Sequence, residues 1–267
     1  MAIGIIVCGA AGRMGGAVIR AIASSTEFRL AGAIDNPASG RLGRDAGEIA
    51  GAGHCGIALT DRIDSVLQAN TVIVDFSAPA ASLKFLRAAA KKRVAAVIAT
   101  TGFTAAELVV IKGLSRRTPT LLSANTSLGV NVLTSLLGKA AAMLGNDYDV
   151  EIIEAHHRFK KDAPSGTALA LGRSIANALG RNLDKIALNG RKGITGERTR
   201  KEIALLSVRA GDIVGEHTVI FGGIGERLEF VHRAHSRETF ARGALRAATW
   251  LANKKPGLYG MADVLGL

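Results

Sequence analysis

The stretch that decides the fold is Ile3-Gly4-Ile5-Ile6-Val7-Cys8-Gly9-Ala10-Ala11-Gly12-Arg13-Met14-Gly15. Ile3–Cys8 reads as a short apolar strand, and Met14–Ser24 as a helix beyond a glycine-rich turn. A glycine pattern carries weight only in that setting, after a strand and opening a helix. Glycines there let the backbone turn tightly and approach a pyrophosphate, which the unpaired N–H groups of the helix start would receive. The spacing is GxxGxxG, with Ala11 where the stricter pattern has glycine. A second strand, Leu30–Ile34, ends in Asp35, where an acid takes the ribose hydroxyls of NAD.

Outward from that loop the same style continues. Val72–Phe76, Val94–Thr100 and Thr120–Ser123 are further apolar runs, separated by helical patterns such as Ala80–Lys91 and Ala105–Ser115. Strand, helix, strand in this order predicts crossover units and a parallel sheet. Three of its strand ends, Asp75-Phe76-Ser77, Thr100-Thr101-Gly102 and Asn125, would line one cofactor cleft with the first loop.

After about Ala124 the pattern changes. Asn131–Leu144 reads as a long helix, Tyr148–Ala155 as an alternating strand and Thr167–Leu179 as a helix. Ile203–Arg209, His217–Phe221 and Arg227–His232 alternate as half-buried strands of an open antiparallel sheet. The basic stretch 189–201 reads as a mobile loop. The helix Arg237–Asn253, with the single Trp, would return to the first domain. The fold class is therefore α/β, a Rossmann-like dinucleotide domain (1–126 and 237–267) followed by a mixed α+β domain with an open sheet (127–236).

Composition bounds the rest. With 48% hydrophobic and 21% charged residues, the 267-residue chain can pack a sizeable core. No apolar run reaches the roughly 18 residues of a membrane helix, and the start reads as a strand rather than a targeting segment. Cys8 and Cys55 form no metal or redox spacing and fit a reducing cytoplasm. The net charge of +12 invites nucleic acid, but 4% aromatic residues leave little means of stacking bases. The same positive field would steer an anionic cofactor and a dicarboxylate substrate.

The most informative segment chemically is Glu154-Ala155-His156-His157-Arg158-Phe159-Lys160-Lys161-Asp162-Ala163-Pro164-Ser165-Gly166-Thr167-Ala168. It runs from the end of a strand into a helix. Ser165 or Thr167 can cap that helix, and the N–H groups around Gly166 suit a carboxylate. Histidine and lysine can both deliver a proton at physiological pH in such a setting. A metal is not expected, because adjacent histidines chelate awkwardly and no third ligand stands at a convincing spacing. His54, His217, His232 and His235 read as surface or packing residues.

EAHHRFKKDAPSGTA resembles the signature of the dihydrodipicolinate reductase family, and VCGAAGRMG its N-terminal loop. DFSAP, TTGF, SANTSLGVN, HRAHSRETFARGAL and MADVLGL fit the same family in order along nearly the whole chain. The resemblance implies a two-domain homotetramer that uses NADH or NADPH to reduce a cyclic imine dicarboxylate in lysine and diaminopimelate biosynthesis. It makes His156 the proton donor or acceptor and Lys160 a proton donor. His157, Ser165, Gly166 and Thr167 would hold substrate carboxylate, with Arg237 also reaching it. Gly9, Ala10, Ala11, Gly12, Arg13, Met14, Asp35, Thr100, Thr101, Gly102, Ser123, Ala124, Asn125 and Thr126 would hold the cofactor. The departure is Asn36, where many members carry arginine after the acid, and it leads us to expect NADH preferred or equal. The alternatives are another NAD-dependent dehydrogenase, such as one acting on aspartate, and a redox-sensing NAD-binding protein without catalysis. The first has no reason to keep two histidines, a lysine and the SGT helix start in one segment. The second expects damaged proton donors, and here they are intact.

Overall fold

The computed structural model describes residues 2–267. Its strands, numbered along the chain, are β1 (Ile3–Cys8), β2 (Phe28–Ile34), β3 (Leu59–Thr60), β4 (Thr71–Asp75), β5 (Ala95–Ile98), β6 (Pro119–Leu122), β7 (Asp149–His156), β8 (Ala187–Leu188), β9 (Ile203–Arg209), β10 (Gly215–Gly222), β11 (Arg227–Ala234) and β12 (Gly257–Tyr259). They fall in two compact units, one running to Leu128 and resuming at Arg237–Leu267, the other Gly129–Ser236.

The first unit is a seven-stranded sheet in the order β12-β6-β5-β4-β1-β2-β3, with every pairing parallel. The unbroken apolar run of β1 follows from burial on both faces. Ile5 and Val7 meet the helices Arg13–Ala23 and Glu238–Leu251 on one face. Ile6 and Cys8 meet Pro79–Lys92 and Ala105–Ser115 on the other. Each fully buried Ile or Val contributes about 1.5–3 kcal/mol. The last helix presses on backbone, since a Cβ at Gly243 would lie 1.8 Å from the Thr126 carbonyl oxygen. Strand order reverses beside β1, which places a ligand crevice at the carboxyl ends of β1 and β4. The short edge strands β3 and β12 carry too few residues to show a period and were not expected.

The second unit has a five-stranded sheet in the order β11-β10-β7-β9-β8. It is mixed rather than antiparallel. β10 runs antiparallel to β11 and β7, but β9 runs parallel to β7 and β8. The helix Gly166–Ala178 lies between β7 and β9 in the chain, and a crossover of that kind is what joins parallel neighbours. Leu133, Leu137, Leu171 and Ile175 cover Val150, Ile152, Leu205 and Val219 on one face. Stretch 189–201, expected to be mobile, is tied down. Arg191 binds Glu151 at 2.9 Å, and Arg198 binds Glu151 at 3.0 Å and Asp149 at 2.7 Å. No described helix is long and apolar enough to cross a membrane.

Candidate active site

The glycine loop closes tightly on its neighbours. Gly9 has φ +75°, and a Cβ there would lie 2.8 Å from the Phe76 carbonyl oxygen. At Gly15 it would lie 2.1 Å from the Gly9 carbonyl oxygen. These positions exclude side chains and leave the helix start bare. The N–H groups of Gly9 and Ala10 both donate to the Ile34 carbonyl, and that of Gly12 to Gly9. Ala11 donates to Asp35 Oδ2 at 2.7 Å. The N–H groups of Gly9 to Gly12 are thus engaged within the loop and with the end of β2. The N–H groups without an intrahelical partner are those of the first helical turn, beginning with Arg13 and Met14.

Beside the loop lies an open cleft of about 710 Å³, lined by Gly9, Ala11, Gly12, Asp35, Asn36, Arg41, Phe76 and Lys84 among others. Asp35 is pinned, because its Oδ1 also accepts the Asn36 N–H at 2.7 Å. Thr100–Gly102 and Ser123–Thr126 follow β5 and β6 but are not part of that lining. Several of their hydroxyls are engaged internally. Thr100 accepts from Ser82 at 2.8 Å, Ser123 donates to the Asn125 carbonyl and Thr126 to the Phe240 carbonyl, each at 2.7 Å. Burial pushes the Asp75 carboxyl up in pKa, although Ser77 hydrogen-bonds to it.

Arg237 stands where the chain resumes the first unit. Burial and the charge of Arg13 both lower its pKa.

The second unit gathers the histidine–lysine segment around the end of β7. On a strand, residues two apart share a face, so Glu154 and His156 point the same way. His156 Nδ1 lies 2.6 Å from Glu154 Oε2. Arg209, opposite His156 in the β7–β9 register, forks onto Glu154 at 2.8 and 2.7 Å. His217, opposite Glu154 across the β7–β10 pair, sets its ring 5.3 Å from that of His156 at 77°. Burial pushes His217 down to about 3, and the His156 charge adds to that. Burial also lowers His156, with Glu154 opposing. Lys160 Nζ is ion-paired to Asp162 at 2.9 Å. His157 Nδ1 is buried without a hydrogen-bond partner among the described residues.

Ser165 takes the helix-capping role that its position allows. It is 2% exposed, and its Oγ caps the helix at Ala168 N–H (3.1 Å) while bonding His217 Nε2 (3.2 Å). Its own N–H donates to Glu154. It builds the site from beneath, with its hydroxyl and its N–H both engaged. Gly166, by contrast, is exposed at the head of that helix. The residues that the sequence left aside are Glu154, Arg209 and His217. The two-residue spacing of Glu154 and His156 was the one local signal.

Residues 3–126 match the family description "Dihydrodipicolinate reductase, N-terminus" and residues 129–265 the description "Dihydrodipicolinate reductase, C-terminus". The chain belongs to the dihydrodipicolinate reductase family. A 4-hydroxy-tetrahydrodipicolinate reductase of Citrifermentans bemidjiense is 50% identical over 263 residues, covering 98% of both chains. One of Geobacter metallireducens is 51% identical over the same length and coverage. A solved dihydrodipicolinate reductase of Paenisporosarcina sp. TG-14, bound to dipicolinate, has a TM-score of 0.75 at 22% identity. That match covers 98% of this chain and 99% of the other, and it establishes the fold. As in that family, a parallel nucleotide-type sheet is joined here to a second, mixed sheet.

Proposed function

We propose that this chain reduces 4-hydroxy-tetrahydrodipicolinate to tetrahydrodipicolinate with NAD(P)H, as a step of lysine and diaminopimelate biosynthesis. The observation that carries the proposal is the convergence, within one unit of a chain of this family, of His156, His157, Lys160 and the Ser165-capped helix start. The glycine cradle fits a dinucleotide, since a Cβ at Gly9 or Gly15 would collide with backbone. Arg13, Met14 and the first turn of their helix would face its pyrophosphate, and Asp35 its ribose. When bound, the nicotinamide supplies a hydride.

The protein's own part is charge and proton management. Reduction of a conjugated imine leaves negative charge on the ring nitrogen and the carbon beside it, so cations and a proton must be at hand. Lys160 supplies both, from an ammonium held loosely by the exposed Asp162. His156 serves as the second donor or acceptor. His157 and the N–H groups at Gly166 and Thr167 hold the substrate's carboxylates. The Ser165 cap fixes where that helix begins, and so where its N–H groups point.

The second unit also offers an assembly surface. Across the sheet face opposite the helices, Val231, Thr218, Ile153 and Leu206 form one cross-strand row. Val231 and Val208 are 43% and 45% exposed. Association through that face into a homotetramer would bury them. The two free cysteines fit a reducing cytoplasm. The deciding assay is oxidation of NADH or NADPH, followed by the loss of reduced-nicotinamide absorbance, with enzymatically generated substrate. Turnover with that substrate supports the proposal, and none with either nucleotide overturns it.

A further inference from the structure

Glu154 has 0% exposure. A carboxylate without water costs stability unless it is paired and hydrogen-bonded, and this one is met on every side. Arg209 forks onto both oxygens, the Ser165 N–H reaches Oε1 at 3.1 Å, and His156 Nδ1 reaches Oε2 at 2.6 Å. Burial raises its pKa, but Arg209, Ser207 and His156 outweigh that and hold the carboxyl down to about 2. An ionised carboxylate only accepts. The proton in the 2.6 Å contact therefore sits on His156 Nδ1, and the neutral ring leaves Nε2 bare. The space at Nε2 is kept by Gly215, where a Cβ would lie 3.1 Å from that nitrogen.

The other charged and titratable groups around the ring are few. Arg209 faces it from β9, His217 from β10 and Lys160 from the segment after β7, with Asp162 paired to Lys160. His232 of β11 stands opposite His217. Among these, Glu154 is the anion in direct contact with the imidazole.

We infer that Glu154 is the positioning residue of the reaction: it holds His156 in the Nδ1–H form, so that Nε2 faces substrate, and Arg209 tempers that hold. The inference rests on the role proposed for His156 above. When Nε2 takes a proton, the imidazolium charge forms against the Glu154 carboxylate, and no proton passes to Glu154. When Nε2 returns the proton, the ring reverts to the Nδ1–H form. Arg209 withdraws part of the carboxylate's charge from the imidazole, which keeps His156 able to release the proton as well as accept it.

The test is nitrogen and carbon NMR of histidine-labelled full-length protein, wild type against Glu154→Gln and Arg209→Met. In wild type the neutral His156 should show the Nδ1–H tautomer. Glu154→Gln removes the anion and offers an amide N–H to Nδ1. It should move the ring to the Nε2–H tautomer, lower its titration midpoint by about one pH unit or more and cut kcat by about 10²-fold or more with KM little changed. Arg209→Met should move the midpoint the opposite way, upward. A purely structural pair would not give opposite signs. If Arg209→Met fails to fold around an unpaired carboxylate, Glu154→Gln/Arg209→Met removes both charges together and should still lose the Nδ1–H form. An unchanged tautomer and midpoint in Glu154→Gln overturns the inference, as do shifts of the same sign in both single variants. Normal turnover of His156→Ala would instead strike the role of His156 and leave the measured tautomer standing, so the two failures separate.

Discussion

Replacing Asn36 with arginine should move cofactor choice toward NADPH by about ten- to a hundredfold. Asp35 follows β2 directly, with both carboxylate oxygens held, Oδ2 by the Ala11 N–H and Oδ1 by the Asn36 N–H, each at 2.7 Å. A carboxylate so pinned cannot swing away from a 2′-phosphate on the adenosine ribose, and it repels one. NADP sites offset that repulsion with a nearby arginine. Here the adjacent side chain is neutral, and its Oδ1 is occupied by the Ala38 N–H at 2.9 Å. Arg41 and Lys84 line the same cleft but stand on other segments, without the fixed fork of an adjacent guanidinium. Wild type should therefore use NADH at least as well as NADPH. A charge-assisted contact contributes about 1.5–3 kcal/mol, which is roughly ten- to a hundredfold in affinity. Losing the Ala38 contact costs about 1 kcal/mol, but it is lost for both cofactors and cancels in their ratio. The gain should fall on KM for NADPH with kcat unchanged, because the phosphate lies far from the reacting carbon. Steady-state kinetics of both proteins with both cofactors, at low ionic strength where the charges are least screened, measures it. A wild-type kcat/KM favouring NADPH tenfold, or an Asn36→Arg ratio that does not move, would refute the reasoning. It would mean that Arg41 or Lys84 already closes over the phosphate.

Three further outcomes are expected. His156→Ala or Lys160→Ala should each lower kcat by about 10²-fold or more while NADH affinity, read by fluorescence titration, barely changes; near-normal turnover in both would remove them from the chemistry. Light scattering at micromolar concentration should return a tetramer, and a stable monomer would contradict assembly through the open sheet face. Stability should decline as pH falls, since Glu154 titrates at about 2 in the folded chain against an ordinary 4.5 and His217 at about 3 against 6.5. Both depressed values stabilise the fold above the unfolded pKa, and the contribution is lost on the way down. Melting followed by circular dichroism should fall progressively below about pH 6.5, and a melting temperature flat to pH 4 would contradict it.

The parallel sheet was legible because its signals are local. β1 declares burial on both faces by having no polar alternation, and its glycine turn must be followed by a helix to be of use. The second sheet was legible only in part. Its strands alternate clearly, yet alternation does not encode direction, so the parallel pairing of β7 with β9 emerged only with the crossover helix in place. The short strands β3 and β12 hold two and three residues, below the length at which any period exists.

The candidate site divides in the same way. His156, His157, Lys160 and the SGT helix start were legible because they lie in one segment, where spacing is information. Arg209 and His217 lie 55 residues from Glu154 and 52 from Ser165, and only strand register brings them in. Ser165 was read both as a cap and as a ligand contact, because a hydroxyl beside a glycine at a helix start suits either role. The structure shows the cap, and its contact with His217 arises only when β10 is in place. That also explains why a carboxylate as costly to bury as Glu154 was passed over. In sequence it is one more acid before two histidines. Its meaning arises when the β7–β9 pair sets Arg209 against it and the β7–β10 pair sets His217 beside it. On the proposed reading, the segment after β7 would supply the groups that touch substrate, and the rest of the sheet the charges that decide which nitrogen of His156 is free to act.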